Sequence, residues 1–241
     1  MKNKFLAVAS LSVLALASCG GPAEITPDEA LSRATEISAK VNEEDFAYPE
    51  DYKMVVESTS SLEGSVKLIN EVYLSKKFLH TSIATTSADG EATVMETYMF
   101  LKDGSYYTVV TMDGKTTSVS FPESVWESSF EEQAATYDPK EFIGTYSEKA
   151  VSMVQELNEL TVSSEYTVSV KYSSSGVGSL ILDAAIVHAS ESGDETASVK
   201  FEYANYLLVS ASSVASTAEE SVTEKVSMTY NASGLAYPEL A

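Results

Sequence analysis

The chain has 241 residues, 44% of them hydrophobic, and sets 36 acidic against 15 basic side chains for a formal charge of −21. That apolar content supports a packed core and argues against disorder, in one large unit or two small ones. So acidic a chain, with Arg33 its one arginine, lacks the cations for nucleic-acid phosphate contacts. Its single cysteine excludes an internal disulfide and a cysteine-built zinc site.

Residues 1–18 combine Lys2 and Lys4 with an apolar run from Phe5 to Leu16. The run is too short for a stable transmembrane helix and has the length of a signal-peptide core. It ends in Leu16-Ala17-Ser18-Cys19. Small residues before a lone cysteine, directly after such a run, resemble a bacterial lipoprotein signal. The resemblance implies cleavage before Cys19, a diacylglyceryl group on its thiol, and membrane attachment at the extracytoplasmic face. Two acyl chains hold firmly, at roughly 0.8 kcal/mol per buried methylene. Residues 19–26 then form a short tether, and residues 27–241 a single helix-plus-sheet domain.

Thr26, Pro27 and Glu29 form a capping signature, so a helix is expected over residues 27–41, its apolar face drawn from Ala30, Leu31, Ala34, Ile37, Ala39 and Val41. Residues 42–51 are polar and contain proline, and read as a loop. From residue 52 to 121 the period changes to that of strands, with Glu63-Gly64, Asp89-Gly90, Asp103-Gly104 and Asp113-Gly114 as turns. This is an antiparallel meander of about six strands. Within it, residues 91–101 are apolar on both faces: Ala92, Val94, Tyr98 and Phe100 on one, Met95, Met99 and Leu101 on the other. A half-exposed strand alternates more cleanly, so this strand is expected to be covered on both sides or to line an apolar cavity.

Residues 122–160 read as helices. Ser129 with Glu132 is a candidate cap, Asp138-Pro139-Glu141 repeats the first capping signature, and Gly144-Thr145 is a candidate break. Strands return after Ser164 and fill the rest of the chain; Tyr166, Val168, Val170 and Tyr172 share one face. No Pro- or Gly-rich linker separates the two meanders. The middle helices are therefore expected to cover a shared sheet, with two tandem domains as the alternative. The fold class is α+β: a large curved antiparallel sheet of about eleven strands with an N-terminal helix and central helices over one face.

Signals of catalysis are missing. His80 and His188 each stand alone in a strand and read as partly exposed strand residues. No Gly-x-Ser-x-Gly elbow, Ser-x-x-Lys, P-loop or Gly-x-Gly-x-x-Gly occurs. Trp126 reads as helix-to-sheet packing. No cofactor or metal is expected, and the chain reads as a non-enzyme. What remains is soft and apolar: methionines, able to shape an adaptable pocket, with tyrosines on neighbouring strands.

The lipobox, the amphipathic first helix, the antiparallel strands and the helical interruption near the middle resemble the LolA/LppX-type fold in element order. That resemblance implies a half-barrel whose helices partly plug its interior, and binding or carriage of a lipid or other apolar ligand at a membrane. The carrier branch uses an arginine to hold its closed state; Arg33 matches no motif that transfers this role. Met95, Met99, Leu101, Tyr98 and Phe100 are the candidate ligand-lining residues, Cys19 the lipidation site, and the membrane and an apolar ligand the expected partners. A surface binding or adhesion module, with the sheet as scaffold, is the alternative.

Overall fold

A computed structural model describes residues 21–136, 138–190, 193–231 and 235–240. The apolar leader and Cys19 lie outside the described residues.

The first helix, α1 (Pro27–Val41), is capped as its sequence dictates. Thr26 Oγ1 accepts from the Glu29 N–H at 3.3 Å, and the Thr26 N–H donates back to Glu29 Oε2 at 2.8 Å. Its buried stripe is Ala30, Ala34, Ile37 and Val41. Two further helices, α2 (Glu123–Thr136) and α3 (Pro139–Leu160), meet at Asp138, whose Oδ1 accepts from the Lys140 N–H at 2.8 Å. α2 starts after Pro122 and runs through Ser129 and Glu132, because Trp126 and Phe130 anchor it to the sheet. Gly144 does not break α3. A Cβ there would sit 3.1 Å from Asn42 Oδ1, so the glycine admits the close approach of α1's C-terminal end.

The strands are β1 (Ala23–Glu24), β2 (Asp51–Ser60), β3 (Gly64–Tyr73), β4 (Phe78–Ser87), β5 (Ala92–Lys102), β6 (Ser105–Met112), β7 (Lys115–Phe121), β8 (Tyr166–Ser174), β9 (Leu180–Ser190), β10 (Gly193–Ala204), β11 (Leu207–Ser216) and β12 (Ser221–Tyr230). They form one open, curved, antiparallel sheet in the order β1-β8-β9-β10-β11-β12-β2-β3-β4-β5-β6-β7. The two meanders join where β12 pairs with β2, Val226 opposite Val56. The strand beyond the expected eleven is β1, which lies inside the expected tether: Ala23 and Glu24 pair with Ser174 and Ser173. Asp103-Gly104 and Asp113-Gly114 adopt the positive φ that two-residue hairpins require.

All three helices pack on one face, where α1, α3, Trp126 and Phe130 close the main core over Tyr52, Leu79, Met99, Leu182, Leu208 and Met228. On the opposite, outer face a smaller aromatic cluster forms from Tyr73, Phe78, Phe100 and Val109, with Leu235 against it. Tyr237 presents its ring edge-on to Phe78 and Phe100, at 5.5 and 5.2 Å. β5 is thus covered twice at its C-terminal end, by the helices over Met99 and by residues 235–237 over Phe100. Among the described residues no helix is long and apolar enough to cross a membrane.

Candidate functional site

Pairing register decides which side chains line up across the sheet. On the helix-bearing face one row crosses ten strands without a polar interruption. Its first half, Tyr172, Leu182, Phe201, Ala211 and Val226, lies on β8 to β12. The second half, Val56, Leu68, Ile83, Met95 and Met112, continues on β2 to β6. Strands sit about 4.8 Å apart, so the row runs about 43 Å along the arc.

Burial along this row is graded. The first half is buried beneath the helices; Val56, Leu68 and Ile83 are half-buried; Met95 is 38% and Met112 52% exposed. Val66, Val110, Val119 and Phe121 are also exposed, and alternation and register place them on this same face. The same register sets Thr85, Thr93, Thr97, Thr108, Thr117 and Lys115 between them, so the open side of β3 to β7 is a floor of exposed apolar side chains interleaved with threonines. Large apolar side chains exposed together on one face mark a binding surface more often than single scattered ones do.

Grooves lie where the helices meet the sheet. One of about 460 Å³ lies between α3 and β10 to β12, with Tyr146 and Met153 on the helix side and Phe201, Ala211 and Val226 of the row on the sheet side. Lys149 and Glu224 stand at its mouth; the ammonium lies 4.9 Å from the Tyr146 ring. Burial, and then the Glu224 charge, push the Tyr146 phenol above its ordinary pKa. A second groove, of about 390 Å³, runs between the α2–α3 junction and β2, lined by Tyr52, Met54, Phe142 and Tyr146. None of the grooves described is lined by residues 91–101; instead of lining the expected cavity, the N-terminal part of this strand is exposed on both faces, at Val94 and at Met95, and the grooves lie against α3 and β2.

The ligand-lining candidates on β5 are divided by the sheet. Met95 and Leu101 lie on the floor side, Leu101 half-buried, while Met99 is 5% exposed and packed in the main core. Tyr98 and Phe100 point to the outer face, where Phe100 is fully buried in the aromatic cluster. Of the row's other members, Met112 is among the methionines that read as able to shape a pocket, whereas nothing in the sequence singles out Leu68, Ile83 and Val226; Leu68 and Ile83 join through the β3–β4–β5 hairpins, and Val226 only through the β12–β2 register, which has no local signal.

Several buried polar atoms lack a hydrogen-bond partner among the described residues: both amide atoms of Asn70, Thr81 Oγ1, the Tyr203 hydroxyl and His80 Nε2. Asn70, Thr81 and Tyr203 face the helices. Burial drives the Tyr203 phenol far above its ordinary pKa.

His80 departs from the sequence expectation. It is buried rather than partly exposed, because its paired neighbour Tyr98 stacks flat on it at 4.1 Å. His80 Nδ1 lies 2.8 Å from Glu71 Oε2, and Lys53 Nζ 2.6 Å from Glu71 Oε1. The His80 hydrogen bond and then Lys53 hold the Glu71 carboxyl down at about 2, against desolvation that opposes them. Burial and the Glu96 charge push the Tyr98 phenol up to about 12. This network sits on the outer face, away from the floor. His188 is half-exposed, 3.4 Å from Glu195 and against the Tyr166 ring.

No protein-family model matches the chain, and no curated protein matches it, so the reading of the site rests on its own geometry.

Proposed function

We propose that this protein binds an acyl chain or a similar apolar ligand along the helix-bearing face of its sheet, anchored through lipidated Cys19 at the extracytoplasmic face of a membrane. The observation that carries the reading is the ten-strand apolar row, roofed by helices at one end and open to water at the other. An acyl chain is long, narrow and unbranched, which matches a row one side chain wide. Each methylene it buries contributes roughly 0.8 kcal/mol. The exposed floor carries Val66, Met95, Val110, Met112, Val119 and Phe121 among threonines, and none of these is one of the Trp, Tyr and Arg anchors that dominate protein–protein hot spots. Methionine at the open end adapts to chains of different shape. The role is binding, and no catalytic step is assigned to it.

The test joins two measurements. Native mass spectrometry of the gently extracted protein reads a copurifying lipid. Titration with a fatty acid carrying an environment-sensitive fluorophore reads the floor, and Met112→Glu is expected to weaken this binding at least tenfold while the fold is kept. Acyl labelling of wild type and Cys19→Ala reads the anchor. A protein that neither copurifies a lipid nor binds the probe, yet is captured by a cell-surface protein through the same floor, is an adhesion module.

A further inference from the structure

Asn70 and Thr81 face each other across β3 and β4 on the helix-bearing side, one step from Leu68 and Ile83 of the apolar row. Asn70 is 1% and Thr81 8% exposed. Neither amide atom of Asn70 nor Thr81 Oγ1 has a hydrogen-bond partner among the described residues. Buried polar groups are nearly always paired, so a donor, an acceptor and a hydroxyl left open together mark a place where something else completes them. Met54, directly paired with Asn70, lines the groove of about 390 Å³ beneath the α2–α3 junction. Asn70 and Thr81 themselves line none of the grooves described, so a ligand in this groove reaches them by displacing the flexible Met54 side chain.

Resting on the acyl-chain reading above, we infer that Asn70 and Thr81 recognise the carboxyl group of a free fatty acid in its neutral, protonated form. A protonated carboxyl presents a donor and an acceptor side by side, the complement of a carboxamide. Its O–H donates to Asn70 Oδ1, Asn70 Nδ2–H donates to its carbonyl oxygen, and the Thr81 O–H donates to the second lone pair of that oxygen. An ester lacks the O–H and leaves Oδ1 unpaired. A carboxylate is disfavoured twice. It is desolvated beside Leu68 and Ile83, and no cation meets it: the titratable groups lining the groove are Tyr52, Tyr146, Asp138 and Glu141. Sheet neighbours of the pair on this face, Met54, Thr97, Leu68, Val72, Leu79 and Ile83, carry no charge.

The test uses dodecanoic acid and methyl dodecanoate, both below their aggregation concentrations, displacing the fluorescent probe from wild-type protein between pH 5 and 8. Binding of the neutral acid alone makes its apparent affinity fall about tenfold per pH unit above the free acid's pKa, whereas ester binding stays flat. At pH 5 the acid is expected to bind at least tenfold tighter than the ester. Thr81→Val narrows that preference, and Asn70→Leu removes it together with the pH slope while ester affinity is kept. Should Asn70→Leu fail to fold, Thr81→Val still reads the preference. Equal, pH-independent binding of acid and ester overturns this inference and leaves the acyl-chain reading standing. If the protein binds neither ligand, both fall.

Discussion

Met95 and Met99 share one face of β5, four residues apart, yet the structure assigns them opposite fates. Met99 is packed in the core with Leu79 across from it. A glutamate there loses the thioether's burial, worth about 2 kcal/mol. It must also either hold an unpaired buried charge or stay neutral. Raising a carboxyl from its usual range to above pH 7 costs about 1.4 kcal/mol per unit, hence about 4 kcal/mol. The sum of about 6 kcal/mol lies within the range of an ordinary protein's whole stability. Met95 is 38% exposed, so a glutamate there keeps its water and costs about 1 kcal/mol or less. Urea unfolding measured by circular dichroism separates the two: Met99→Glu is unfolded or nearly so in buffer, while Met95→Glu unfolds near the wild-type midpoint and loses probe binding. Equal destabilisation by both would mean that the floor is roofed and is no binding face. A neutral Met99→Glu would remove the buried core from beneath α2.

The Glu71 network gives a pH dependence with a fixed sign. Its folded-state pKa, about 2, lies below the unfolded value, so its stabilisation is full above pH 4.5 and is lost as pH falls towards 2. Discounted for partial solvent exposure, the loss is about 2 kcal/mol, read as the difference in urea midpoint between pH 6 and pH 2.5, and Glu71→Gln flattens it. Thr26→Ala removes the cap that accepts the Glu29 N–H and is expected to cost about 1 kcal/mol in a thermal melt. A melt identical to wild type would mean that α1's first turn contributes nothing to the cooperative fold.

What the sequence made legible was local or periodic. The Thr26-Pro27-Glu29 box lies within four residues, the Asp-Gly hairpins name their own backbone conformation, and the doubly apolar character of residues 91–101 marks two covered faces at its C-terminal end alone, residues 92–95 being exposed. Met99 is covered by helices and Phe100 by Leu235 and Tyr237. The illegible features depend on distant partners. Joining β12 to β2 brings Val226 beside Val56, 170 residues away in sequence, and the apolar row exists only through that register. Asn205 and Tyr206 turn the chain between β10 and β11 with positive φ at both positions and no glycine to announce it. Gly144 read as a break because its partner, Asn42, is invisible from residue 144 alone. Asn70 did leave a trace: it is the polar member of an apolar alternation, Leu68-Asn70-Val72, on one strand face.

The tether gains meaning from β1. With Ala23 and Glu24 paired to β8 and the Ile25 N–H bonded to the Tyr172 carbonyl at 3.1 Å, the first sheet-bound residue is four positions after Cys19. Four residues reach about 14 Å at full extension, so under the proposed lipidation of Cys19 the β8 edge would sit close to the headgroups. The helix-roofed half of the row begins at that edge, with Tyr172, and the open half ends about 43 Å away along the arc, at Met112. Under that proposal the anchor and the open floor lie towards opposite ends of the row. In that orientation the floor is presented away from the anchor, available to a ligand arriving from outside the membrane. A site that drew its ligand from the bilayer beside its own anchor would place the exposed methionines at the β8 edge instead.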